Sequence, residues 1–264
     1  MQKTTVPLVE TPTLPGSWHG RDATVLGLKM MLRILAVTLV YVIVSVLFSF
    51  DALALRILTG LLLVGSACFY LYAGGLQAGV ADAAFGEIMF SRQAEGKTVL
   101  PTEKARCFHP AKGFWIALLG ALPFLCITML YAVQATPERY TLGLLPDWLQ
   151  GAAQQQTLGE ALRYYATREG LSALAILRIV VRTLVMPFIN IAVKMGGDAT
   201  LWAERLSPLW VLLAPLGYGF GYAQGKKQRA KIHASIAAGV QKKLRRERKD
   251  RHARARQSKP EQLV

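Results

Sequence analysis

The sequence predicts an all-α, polytopic membrane protein: a helical bundle of four transmembrane helices plus one interfacial or re-entrant amphipathic helix. Three observations carry this. Ile57–Ala81 and Gly113–Pro137 each run twenty-five residues without a charge, Leu206–Gly225 runs twenty and Ile34–Phe50 seventeen. About 20 apolar residues at 1.5 Å rise cross the hydrocarbon core of a bilayer. Charged residues make up only 18% of the chain and its mean hydropathy is positive. Finally, the charge is polarised: from Lys226 to the end, fourteen Lys/Arg face three acids, a net of +11 out of the chain's +15.

Residues 1–25 are polar and carry Pro7, Pro12 and Pro15, with no short apolar core of a signal peptide. They are expected to form a disordered cytoplasmic leader. The first span, about 34–50, is bracketed by Arg33 and Asp51, and the link Asp51–Arg56 turns the chain back into the second, about 57–81. Gly75 and Gly79 there form a small-x-x-x-small pair, the spacing that lets helix backbones approach closely in lipid. Phe85, Ile88 and Met89 recur at helical spacing, so this helix is expected to run on until Gly96, with Pro101 marking a break. In the 82–112 segment, Asp82 and Glu87 are five residues apart, on different sides of a helix, and solvation is the default expectation for both. The third span, about 113–135, has Phe114, Trp115 and Tyr131 at its ends, as interfacial aromatic belts do.

Thr136–Arg205 is an outer segment with two expected amphipathic helices. The first, 158–169, follows the capping-box pattern Thr157-Leu-Gly-Glu160. The second, 171–193, is apolar but contains Arg178, Arg182, Pro187 and Asn190. At 100° per residue, Arg178, Arg182, Thr183, Asn190 and Lys194 share one arc of about 160°, a wet stripe on an otherwise apolar helix. The last span, about 206–225, is interrupted by Pro215, where a kink is expected. Gly217, Gly221 and Gly225 repeat every four residues, the strongest helix-packing signal in the chain.

Counting Lys/Arg orients the protein. With four spans and both termini inside, twenty-three basic residues lie on the cytoplasmic side and eight outside or in the wet-faced helix. Making 171–193 a fifth span moves the N-terminus outside, lowers the inner count to eighteen, and places Arg178 and Arg182 in the membrane. An arginine at the centre of a spanning helix costs about 2.5–3.5 kcal/mol on insertion scales. The expectation is therefore four spans in a cytoplasmic membrane, both termini cytoplasmic.

Arg178, Arg182 and Asn190 are the candidate anion-binding residues, because guanidinium groups stay charged and fork onto phosphate or carboxylate; the alternative is that they snorkel to headgroups. The 226–264 tail is a candidate surface for anionic lipid or another polyanion, through Lys226, Lys227, Arg229, Lys231, Lys242, Lys243, Arg245 and Arg246. Ile232, Ile236, Val240 and Leu244 give its first half one apolar stripe.

Cys68, Cys107 and Cys126 are scattered, and Cys107-Phe-His109 has no second ligand pair beside it, so no disulfide framework or metal is expected. The chain contains no P-loop, no G-x-S-x-G and no H-E-x-x-H. No catalytic residue and no cofactor are assigned. The leading expectation is a non-catalytic membrane subunit, assembly factor or scaffold, with its tail on the anionic inner leaflet and its glycine-striped helices available for homo- or hetero-oligomer packing. The alternatives are a small permease subunit for an anionic solute, using Arg178 and Arg182, and a membrane tether for ribosomes or nucleic acid.

Overall fold

The computed structural model describes residues 12–18, 21–48, 50–136 and 173–257. The expected 158–169 helix and its capping box lie outside them. The described residues form helices and no strand: α1 (Arg21–Leu47), α2 (Leu53–Ala94), α3 (Pro101–Arg106), α4 (Lys112–Gln134), α5 (Ala173–Leu184), α6 (Met186–Met195), α7 (Gly197–Arg205), α8 (Ser207–Ala223) and α9 (Gly225–Gln257). Three of them, α1, α2 and α4, are long and apolar enough to cross a membrane. There are four such segments if the bent α5–α6 pair is one broken span. α8 is apolar too but has 17 residues, and it continues through Pro215.

Local chemistry explains the ends. α2 stops in a glycine cap: Gly96 has φ +78°, the Gly96 N–H donates to Gln93 O, and the Lys97 N–H donates to Arg92 O. This is the paired bonding of a Schellman motif, which a Cβ at the left-handed position would strain. Pro101 opens α3, where its missing N–H costs nothing, and the Glu103 carboxylate accepts from the Leu100 N–H. α5 and α6 are bent by 103° at Val185, where Pro187 can supply no amide to continue the ladder.

The chain divides into two compact units. One unites Met1–Thr24, Leu71–Trp115 and Tyr218–Val264. The other unites Val25–Tyr70 and Ile116–Gly217.

In the first unit, α2 and the α8–α9 segment pack through glycine. A Cβ at Gly221 would stand 2.1 Å from Tyr72 O, and one at Gly225 2.5 Å from the Gly79 Cα. Reciprocally, a Cβ at Gly75 would stand 2.1 Å from Tyr218 O and one at Gly79 2.3 Å from Tyr222 O. Both members of each pair rise in residue number together, so the helices run parallel. Part of the leader is ordered here, where the sequence suggested a disordered one: the Leu14 N–H donates to Gly86 O, the Gly16 N–H to Phe108 O, and Trp18 meets Trp115 edge to face at 5.1 Å. Only glycine fits at position 16, because a Cβ would lie 2.0 Å from Cys107 O.

In the second unit, a Cβ at Gly120 would meet the Met30 side chain at 2.7 Å and one at Gly27 the Leu119 side chain at 2.9 Å, so α1 and α4 approach closely. Gly217 sits on Cys68 O, and Gly60 sits against Ile191. Large apolar side chains point outward, among them Val133 at 87% and Phe69 at 71% exposure. An aqueous surface would leave such side chains wet; a hydrocarbon surround removes that cost.

Candidate functional site

α9 rises about 50 Å over its 33 residues. Its first turns are fastened to α2. Arg229 donates from Nε and Nη2 to Glu87 Oε2 at 3.2 and 3.0 Å, and His233, one turn on, holds Nε2 3.0 Å from Glu87 Oε1. Gly225 makes this geometry possible by bringing the start of α9 onto α2 eight residues earlier. From Ser235 to His252 every residue is exposed: Ile236, Val240 and Leu244 are 58, 53 and 50% exposed along one stripe, and Lys242, Lys243, Arg245 and Arg246 are exposed too. Lys226, Lys227 and Lys231 lie in the fastened portion.

Glu87→Gln is expected to loosen this fastening. Part-exposed ion pairs contribute about 0.2–1 kcal/mol each, so trypsin cleavage after Arg229 or Lys231 should quicken on the order of fivefold. A time course of limited proteolysis measures it, and an unchanged rate would show that Glu87 holds nothing.

Asp82, one face round α2, is equally engaged. Lys112, only 2% exposed, donates from Nζ to Asp82 Oδ2 at 2.7 Å and to Ala105 O and Arg106 O at 3.3 and 3.2 Å. Those carbonyls close α3, where an ammonium complements the helix dipole. The Tyr222 hydroxyl donates to the same Asp82 oxygen at 2.5 Å, and its ring stacks on Phe108 at 5.4 Å. The expectation of solvated Asp82 and Glu87 is thus replaced: each carboxylate meets a basic side chain from a distant stretch of chain. Cys107 is fully buried, and burial pushes its thiol up, away from the thiolate a metal would need. Among the described residues no three His, Cys, Asp or Glu side chains gather where they would hold a metal.

In the second unit the structure divides the predicted polar arc. Arg178 and Arg182, on α5, converge on Glu204 of α7, which is 1% exposed. Arg182 Nε donates to Glu204 Oε1 at 2.6 Å, and Arg178 Nε lies 3.7 Å from Oε2. The Tyr131 hydroxyl donates to Oε2 at 2.7 Å, and Arg178 also donates to Thr136 O at 2.6 Å. Asn190, on α6, goes elsewhere: its Oδ1 accepts from Arg56 Nη1 at 2.8 Å, and its Nδ2 donates to Ser45 O at 3.3 Å. Lys194, one turn on, pairs with Asp51 at 3.3 Å. The arc was drawn on one straight helix, and the 103° bend sends its halves to different partners.

Glu204, Tyr131 and Arg56 were not among the sequence candidates. The available signal was arithmetic: two buried-side arginines need an acid, and Glu204 and Asp198 are the acids between the wet-faced helix and the last apolar run. No protein-family model, no curated protein and no solved structure matches the chain.

Proposed function

We propose that this is a non-catalytic membrane scaffold with four spans and a re-entrant α5–α6 element, whose α9 helix lies on the anionic cytoplasmic leaflet. The observation that carries the orientation is the parallel register of α2 with α8–α9 within the first unit, from Gly221 on Tyr72 through Gly225 on Gly79 to His233 on Glu87. Parallel spans deliver their C-terminal ends to the same side of the membrane. The five-span alternative requires α2 and α8 to be antiparallel, so the register counts against it. The leader, the 82–112 segment and the tail also share one compact unit, as a common aqueous side requires.

α9 suits lipid by chemistry. Its outer half presents an apolar stripe and a dense basic surface, and each basic side chain near an anionic leaflet contributes about 1 kcal/mol. The permease reading loses support at Arg178 and Arg182, because Glu204 accepts from Arg182 while Tyr131 and Thr136 O accept from Arg178. The glycine stripe is used inside the chain, against α2, so oligomer contacts would fall on other surfaces.

Removing residues 242–264 is expected to abolish capture of the detergent-solubilised protein by nanodiscs containing phosphatidylserine, while full-length protein binds and is released as salt rises from 0.1 to 1 M. Equal capture by zwitterionic nanodiscs would refute electrostatic lipid binding. Selective capture by ribosomes instead would favour the tether.

A further inference from the structure

The exposed stretch of α9, from Ser235 to His252, presents two opposite faces of different chemistry. At 100° per residue, Ile236 and Leu244 lie about 40° to either side of Val240, which makes the apolar stripe. Lys242, Arg245, Arg246 and Lys249 fall on the far side, in an arc of about 100° centred roughly 190° from Val240. Separations of three, four and seven residues make these four neighbours on one surface. The other charged side chains of residues 242–251 are Lys243, Glu247, Arg248, Asp250 and Arg251, and all of them lie within about 80° of Val240. The stripe side therefore keeps a net charge of +1, while the far side carries +4 with no acid in its arc. With the stripe on the leaflet, Lys243, Arg248 and Arg251 are placed to reach headgroups. The arc then faces the cytoplasm about one helix diameter, 10–12 Å, farther out. That exceeds the Debye length of about 8 Å at physiological salt, so the leaflet engages the arc only weakly.

We infer that this arc binds the phosphate backbone of duplex DNA, without regard to base sequence, while the stripe rests on the membrane. Its placement on the cytoplasmic face of α9 rests on the membrane reading given above; its charge does not. Like charges three and four residues apart repel one another along a helix, and a row of phosphates relieves that repulsion. From Lys242 to Lys249 the helix rises about 10 Å, against one charge per 3.4 Å of each DNA strand, so the arc matches about three successive phosphates. It holds only Lys and Arg, whose phosphate contacts position a duplex and carry no sequence information. α9 contains no Phe, Trp or Tyr, the platforms on which single strands and RNA loops stack. The arc also lacks the aromatic or apolar anchor that centres a protein interface. Readers of double-stranded RNA reach across two minor grooves over about 16 base pairs, a far longer surface than this one.

The test uses the full-length protein in zwitterionic nanodiscs, where duplex binding is read without an anionic leaflet. The probe is a fluorescent DNA duplex of mixed sequence, about two helical turns long. Two variants remove the same charge: Arg245→Gln/Arg246→Gln/Lys249→Gln in the arc, and Lys243→Gln/Arg248→Gln/Arg251→Gln beside the stripe. By fluorescence anisotropy the arc variant should bind about tenfold or more weaker than wild type, with a logarithmic salt slope shallower by about three. The stripe-side variant should stay within about threefold of wild type, because its lost charges point away from the duplex. Arg245→Lys/Arg246→Lys should bind as wild type does, since a backbone contact asks for charge. Absence of binding by the wild type, equal weakening by the two triple variants, or tighter binding of an RNA duplex or of polyglutamate overturns the inference. In phosphatidylserine nanodiscs without DNA, the stripe-side variant should suffer the larger loss of capture. The reverse order there would overturn the leaflet reading and leave the DNA result standing.

Discussion

Gly221→Leu is expected to unseat α8 from α2 and to be the most damaging single substitution in the first unit. A Cβ there would lie 2.1 Å from Tyr72 O and 3.0 Å from Leu76 N, and both are backbone atoms that cannot step aside as a side chain does. Overpacking costs about 1–3 kcal/mol where neighbours can shift, and this contact should reach or pass the upper end of that range. The effect travels, because the same interface positions Tyr222 on Asp82 and Arg229 on Glu87. Gly65→Leu is the control, since a Cβ at Gly65 meets nothing within 4 Å. Thermal unfolding in detergent, followed by size-exclusion chromatography, should show a large loss of stability for Gly221→Leu and little change for Gly65→Leu. Equal behaviour of the two would mean that α8 does not pack on α2 as described.

Glu204→Ala should be the corresponding blow to the second unit. It removes the carboxylate on which Arg178, Arg182 and Tyr131 converge. Breaking a buried pair by deleting one partner costs about 3–5 kcal/mol, because the partner charges lose their compensation. The arginines are 18 and 26% exposed at the side chain, so water relieves part of this and the lower end is expected. Glu204→Gln keeps the shape and one acceptor and should cost less. Combining Glu204→Leu with Arg182→Leu should recover part of the loss, a coupling that a double-mutant cycle of unfolding free energies reads directly. Strict additivity of the two would show that the residues do not interact.

The helices were legible in the sequence because their signals are local. Uncharged runs of span length mark α1, α2 and α4, and Gly96 and Pro101 announce the end of α2 and the start of α3. Gly221 and Gly225 advertise close packing, although Gly79, the partner of Gly225, was visible only as a weaker motif on another helix. What stayed hidden is pairwise and long-range. Nothing within seven residues of Asp82 foretells Lys112 or Tyr222, and Glu87 meets a histidine 146 residues away. The arc linking Arg178 to Asn190 presumed a straight axis; Pro187 was in plain view, but the direction of the bend is set by tertiary packing. Arg56 read as the end of a short link, and only the fold buries it.

Orientation is the claim on which the lipid-surface role depends, and cysteine accessibility measures it most directly. In a chain with Cys68, Cys107 and Cys126 replaced by serine, single cysteines would be placed at Glu10, Asp51, Ser172 and Val264. A membrane-impermeant maleimide added to intact cells should label Asp51→Cys and Ser172→Cys, and should reach Glu10→Cys and Val264→Cys only after the membrane is opened. Labelling of Glu10→Cys or Val264→Cys in intact cells, with Asp51→Cys silent, would contradict the account.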